Sequence, residues 1–203
     1  MSRSGAAEMI DQLQPDMLLG AYCAGIFPMA DDSGEISWFS PNPRAIIALE
    51  EFKIPRSLRQ RIRKGNFETK IDTCFQTVIS RCADREEGTW VSDDIAEAYC
   101  KLHDLGHAHS IETFYESKLA GGLYGVSLGG AFFGESMFTD LTDGSKLALV
   151  ALVRHMKQRG LALLDVQFLT PHLLRFGAKE VARVEYLRQL ERALSLEVTF
   201  VDP

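Results

Sequence analysis

A carboxylate and a carboxamide stand two residues apart at Asp165-Val166-Gln167, inside the apolar run LALLDVQF (161–168). In extended chain the period of two puts both side chains on one face. An Asp in such a run is rare unless it is paired or lines a polar pocket. The two groups therefore either close an internal network or share a substrate at a strand end, where sheets of this kind open. Pattern alone weighs these evenly. Glu135 poses the same question within AFFGESMF (131–138), where Phe132, Phe133, Met137 and Phe138 surround it. An acid amid that much apolar surface pairs with an internal base or receives a cationic ligand group. The segment FKIPRSLRQRIRK (52–64) carries Lys53, Arg56, Arg59, Arg61, Arg63 and Lys64 with no acid among them. Its ordinary explanation is a solvated helix face; the alternative is a local phosphate-binding patch.

Three other constellations carry less. Gly125-Val126-Ser127-Leu128-Gly129 matches G-x-S-x-G, with Asp165 and His172 nominally available downstream as acid and base. A nucleophile elbow needs strand, sharp turn and helix. Here a second strand-like arm follows Gly129-Gly130, so the glycines of a twisted hairpin are the better account and a Ser127 hydrolase is the minor reading. His103 and His107 have the spacing of two metal ligands on one helical face, but Gly106 ends that helix before His107. The remaining histidines are scattered, and no metal is expected. Walker A and dinucleotide fingerprints are absent, and no cofactor is expected.

The elements that must position these groups follow from periodicity. The chain has 203 residues, 46% hydrophobic and 25% charged, as in an ordinary globular protein of one domain or slightly more. Its net charge is −6; setting aside the six cations of 52–64 leaves 16 against 28 acids, so a polyanion would be held at one patch. The four cysteines lack C-x-x-C spacing and read as reduced thiols. No apolar run is long enough to span a bilayer and the first residues lack an export layout, so a cytoplasmic location without membrane partners is expected. PDMLLGAYCAG (15–25) reads as a short helix with Pro15 first and Gly25 as its stop. A turn-rich loop follows, whose Pro28, Pro41 and Pro43 place a boundary near residue 42: a small N-terminal lobe (1–42) and a larger one (43–203). In the larger lobe, strand patterns at 45–49, 67–71, 110–114, 161–168 and 196–201 interleave with helix patterns at 73–83, 92–105, 145–159 and 183–194, and a hairpin turns at Gly129-Gly130. The class is α+β around one mixed central sheet.

The ordered blocks GIFPM with WFSPNPRA, ADREEGTW, LGHAHSIE, GGLYGV, GESMF, and LDVQFLTPH followed by FGA give the chain a wider resemblance. Over residues 17–194 it resembles the leucyl/phenylalanyl-tRNA-protein transferases. The resemblance implies an acetyltransferase-like (GNAT) C-terminal lobe with helices flanking the sheet. It further implies transfer of Leu or Phe, and less well Met, from aminoacyl-tRNA to the α-amino group of acceptor proteins beginning with Arg or Lys, which marks them for degradation under the N-end rule. Carried over, Asp165 orients and polarises Gln167, Gln167 contacts the attacking amine, and Glu135 sits at the substrate end near the amine. Apolar walls are expected from Leu123, Phe132, Met137 and Leu164, and Tyr22 matches a position that holds the 3′ adenosine. The chain departs from the family pattern at Met29 and Phe114, both Trp in many relatives, and at Leu123 and Pro171. Met has no π face to stack a base, so the same reaction with shifted donor or acceptor preference stays open.

Overall fold

The computed structural model describes residues 13–31, 33–84 and 91–202; most of the ADREEGTW block lies outside them. A first helix, α1 (Pro15–Cys23), begins on the proline whose fixed φ suits that position and leads into a two-stranded hairpin of β1 (Phe27–Ala30) and β2 (Ile36–Phe39). Sequence punctuation implies only a loop there. The second sheet has seven strands. They are β3 (Arg44–Ile47), β4 (Phe67–Ile71), β5 (Ala108–Tyr115), β6 (Lys118–Leu128), β7 (Ala131–Thr139), β8 (Leu163–Gln167) and β9 (Ala178–Val181), in the order β4-β5-β6-β7-β8-β3-β9. All neighbours are antiparallel except β7 and β8. The expected strand at 196–201 does not form: that segment has no strand hydrogen bonds and instead packs Phe200 on Phe132 and His109. Of this segment only Phe200 is buried, and the seventh strand comes from Ala178–Val181 instead.

Helices cover both faces. On one lie α1, α3 (Phe75–Ala83), α4 (Asp93–Asp104) and α7 (Arg183–Leu194), which contribute Tyr22, Val78, Tyr99, Leu102 and Leu190 to a core shared with Phe133 and Leu163. On the other lie α2 (Arg56–Lys64), α5 (Gly144–Arg159) and the one-turn α6 (Pro171–Leu174), around Phe132, Leu164 and Val166. Alternation along β7 and β8 thus divides the apolar side chains between two cores. Among the described residues no helix is long and apolar enough to cross a membrane.

Two local features shape the site. Tyr124 pairs with Ser136 and Gly125 with Gly134, which leaves Glu135 as the extra residue of a β-bulge. Gly125 is obligatory beneath it, since a Cβ there would overlap the Phe133 carbonyl oxygen. In addition, the parallel pair, β7 and β8, holds together just from Ala131–Leu163 to Phe133–Asp165. Past that point the two strands part.

Candidate active site

The parting of β7 and β8 opens a cavity of about 440 Å³, a size proper to small-ligand sites. Gly134, Glu135, Ser136 and Met137 form one side; Leu164, Val166, Gln167 and Phe168 form the other. Its apolar depth comes from Leu123, Met137 and Leu164 together with Leu149 and Leu152 of α5 and Leu173 of α6. Met29 of β1 and Phe27 reach the same space.

Glu135 and Gln167 meet across it. Gln167 donates from Nε2 to Glu135 Oε1 at 3.0 Å, which leaves the amide oxygen Oε1 as the acceptor end. Gln167 ends β8 with φ at +56°, a left-handed value that costs a non-glycine residue on the order of 1–3 kcal/mol. The Phe168 amide closes a three-residue turn around it onto the Val166 carbonyl at 2.6 Å. That turn sends the amide side chain to the cavity. Behind Glu135, the Tyr99 hydroxyl donates to Oε2 at 3.3 Å, and Tyr99 and Tyr22 share a further hydrogen bond. Burial pushes the Glu135 carboxyl up to about 8, and the nearby charge of Asp165 adds to that against hydrogen bonds from the tyrosines and the pull of Arg44. Both tyrosines are held well above the ordinary phenol range by burial first and by Glu135 second.

Asp165 takes the internal alternative. It is 0% exposed and does not line the cavity. Arg44, itself 1% exposed, grips it through Nε at 2.9 Å and Nη2 at 2.7 Å, and the Tyr186 hydroxyl donates to Oδ2 at 2.7 Å. Its remaining tie is to the Gln167 backbone amide, which donates to Oδ1 at 2.9 Å. Asp165 therefore fixes the turn that carries Gln167 and does not touch the Gln167 side chain. Arg44 completes the network by donating to the Gly25 carbonyl at 3.1 Å and lying over the rings of Phe27 and Tyr186.

The other expected residues separate. Leu123, Met137, Leu164 and Met29 line the cavity. Phe132 does not: it points to the opposite side of β7 from Phe133 and packs against Phe200. Tyr22 is fully buried and bonded to Tyr99, so as it stands it offers no surface to an adenosine. Phe114 lies on β5 near the far edge of the sheet, over Lys70. The aromatic rings that line the cavity, Phe27 and Phe168, are ones that periodicity does not single out; they meet edge-on, and Phe27 also stacks on exposed Phe39. Sequence reasoning also misses Arg44, Tyr99 and Tyr186. The only trace of Arg44 in the sequence is its place in WFSPNPRA. Lys53, Arg56, Arg59, Arg63 and Lys64 are exposed along and before α2, whereas Arg61 turns inward over Phe67.

Ser127 lies within β6 opposite Phe132, and the chain after it returns as β7 rather than as a helix. Its nominal partners are engaged elsewhere: Asp165 in the network above and His172 at the cavity of β7 and β8. The elbow geometry is not built.

The sequence profile described as leucyl/phenylalanyl-tRNA protein transferase matches residues 46–191, and that of the N-terminal domain of the same transferase matches residues 11–42. A leucyl/phenylalanyl-tRNA–protein transferase of Akkermansia muciniphila is 52% identical over 190 residues, covering 92% of this chain and 98% of the relative. One from Herpetosiphon aurantiacus is 47% identical over 193 residues, covering 95% and 100%. Among solved structures, a GCN5-related N-acetyltransferase from Kribbella flavida is 8% identical with a TM-score of 0.41 over 78% of this chain and 57% of its own. L-PGS from Bacillus licheniformis is 14% identical with a TM-score of 0.44 over 80% and 56%. Those two likenesses are too distant to bear on function. Near-complete coverage at about half identity by enzymes of one kind leaves a single assignment: the chain is an aminoacyltransferase and belongs to the leucyl/phenylalanyl-tRNA protein transferase family.

Proposed function

We propose that this transferase takes Leu or Phe, and less readily Met, from charged tRNA and joins it to the α-amino group of cytoplasmic proteins beginning with Arg or Lys, marking them for N-end rule degradation. The observation that carries the reading is a cavity that is apolar in its depth and polar at one pair, Glu135 and Gln167. A branched or aromatic side chain fits the depth, and the ester carbonyl then sits at the pair.

The chemistry asks little beyond placement. A nitrogen–carbon bond forms, the ester carbon–oxygen bond breaks, and one proton passes from the nitrogen to the departing adenosine oxygen. Holding amine and ester in register supplies most of the acceleration. The Gln167 Oε1 accepts an N–H of the amine and aims its lone pair, while Glu135 fixes the amide through Nε2. A neutral amide is a poor base, so Gln167 acts by position. An incoming α-ammonium titrates near ~8, and the Glu135 carboxyl, pushed up to about 8, is matched to exchange a proton with it at little cost. Asp165, through the Gln167 backbone, is a positioning residue. The exposed rings of Phe39 and Phe168 offer the terminal adenine the stacking face that Met29 lacks.

The test incubates the protein with labelled leucyl-, phenylalanyl- and methionyl-tRNA and peptides beginning with Arg, Lys or Ala. Label on the Arg and Lys peptides from the first two donors is the expected result. Absence of transfer from every donor to every peptide overturns the reading.

A further inference from the structure

A second cavity, of about 520 Å³, lies between α2, β4 and α5. The two cavities share α5 as a wall: Leu149 and Leu152 face the first, Val150 and Arg154 the second. Among the described residues three cations line it, namely Arg61, Lys70 and Arg154, and no carboxylate does. In a protein of net charge −6 that is a marked local excess. Two of the three have unspent capacity. Arg61 Nε is buried without a hydrogen-bond partner, which is costly for a charged donor. Arg154, exposed at the rim, has no hydrogen bond or ion pair among the described residues. Lys70 is 3.5 Å from Glu68, but both are solvent-exposed and such pairs are weak. His155 is already committed, its Nε2 lying 2.6 Å from the Phe200 carbonyl oxygen. Beside these groups, Ile62, Ile71, Ile111, Leu147 and Val150 give the cavity an apolar lining.

A cationic end beside an apolar wall recognises an anion with a flat apolar part. We propose that this cavity binds a nucleotide by its phosphate, with Arg61 and Arg154 on the phosphate and the apolar wall against the base. The same chemistry is presented by a nucleotide within tRNA and by a free one. Charge favours tRNA, because Arg56, Arg59, Arg63 and Lys64 face solvent on the same helix as Arg61. That source rests on the transfer reading; binding of a free nucleotide does not.

The experiment titrates the full chain with adenosine monophosphate and with uncharged tRNA at several salt concentrations. It repeats both titrations with Arg154→Gln and with Arg61→Gln/Arg154→Gln. For tRNA as occupant, the double variant binds about tenfold more weakly and the slope of log affinity on log salt falls by about one, the loss of one neutralised phosphate. Adenosine monophosphate binding that is lost in the double variant while tRNA binding is unaltered supports the phosphate site and gives it to the free nucleotide. No adenosine monophosphate binding together with an unaltered tRNA slope overturns the proposal. Should the double variant not fold, Arg154→Gln alone decides by the same readouts, since Arg154 is exposed. Failure of amino-acid transfer from any charged tRNA would remove the transfer reading and leave the nucleotide titration to stand or fall separately.

Discussion

Asp165 and Gln167 show how two neighbours drawn from one motif divide the work. Removing the charge at Asp165 leaves the Arg44 guanidinium buried and unmatched, a situation that costs about 3–5 kcal/mol. Asp165→Asn is therefore expected to lower the unfolding free energy by that order and to reduce transfer because the Gln167 turn loosens; denaturant midpoints and turnover check both. Gln167→Gly should do the reverse on stability. Glycine accepts φ of +56° without strain, so the unfolding free energy stays equal or rises by up to about 1 kcal/mol while transfer is lost. Glu135 gives a pH signature. Its folded value of about 8 lies above the ~4.3 of an unfolded Glu, so between those values the native state holds a proton that the unfolded chain has released. Stability contributed at this position is full below about pH 4, falls as pH rises toward 8, and levels above. Glu135→Gln cannot titrate, so in urea melts at pH 5, 6.5 and 8 the variant should gain on the unaltered protein as pH rises; a constant difference would show Glu135 to be ordinary. The sequence makes these residues visible as candidates because acids and amides are rare in apolar strands. It does not say which face of the network they serve. Period two puts Asp165 and Gln167 on one face, but the left-handed turn at Gln167 sends its side chain to the cavity while Asp165 stays inside, claimed by the buried Arg44, which lies 121 positions away in the chain, a separation that no local pattern spans.

At the scale of elements, the site exists because two adjacent strands stop pairing, and the bulge at Glu135 and the turn at Gln167 bound the gap. Gly125 is the sequence position on which that gap most depends. A methyl group there would press into the Phe133 carbonyl and against the Phe132 ring, and the carbonyl belongs to backbone that cannot rotate away. Gly125→Ala is expected to destabilise by about 2 kcal/mol or more and to lower transfer beyond what the stability loss explains, since the bulge aims Glu135. Circular dichroism melts with single-turnover rates check it. Most helices are legible in the sequence: α7 has the expected bounds, and α4 follows the Ser92 cap, whose Oγ accepts from the Ile95 amide at 3.4 Å. Strands are legible where they alternate and illegible where tertiary pairing makes them. Residues 178–181 are a strand because they pair with β3, whereas 196–201 make no such pairing and instead pack Phe200 on Phe132 and His109.

For the whole molecule the decisive feature is the separation of charge. Six of 22 cations sit in one short segment of a chain with 28 acids, so the surface opposes a polyanion over most of its extent and favours one only around α2. Helix periodicity explains why that segment survives without partners. Only Leu58 of its nine helical residues is buried, and Arg61, Arg63 and Lys64 fall in its last turn, where the helix dipole favours positive charge. A structural role for Arg56, Arg59 and Arg63 would therefore be slight; among the described residues, of the three only Arg59 makes a bond, to the Ile54 carbonyl at 3.0 Å. Reversing all three to Glu should leave the unfolding midpoint nearly unchanged. If the helix grips tRNA, the same change raises the KM for aminoacyl-tRNA steeply, leaves kcat at saturation close to its original value, and cuts the salt slope of tRNA affinity by roughly two to three, at about 0.7–0.9 for each phosphate that is no longer neutralised. Merely solvated arginines would leave the slope where it was. Because the outer arginines and the inward Arg61 share one helix but face different surroundings, measuring the two sets separately tells whether tRNA is held along the surface, in the cavity beneath it, or at both.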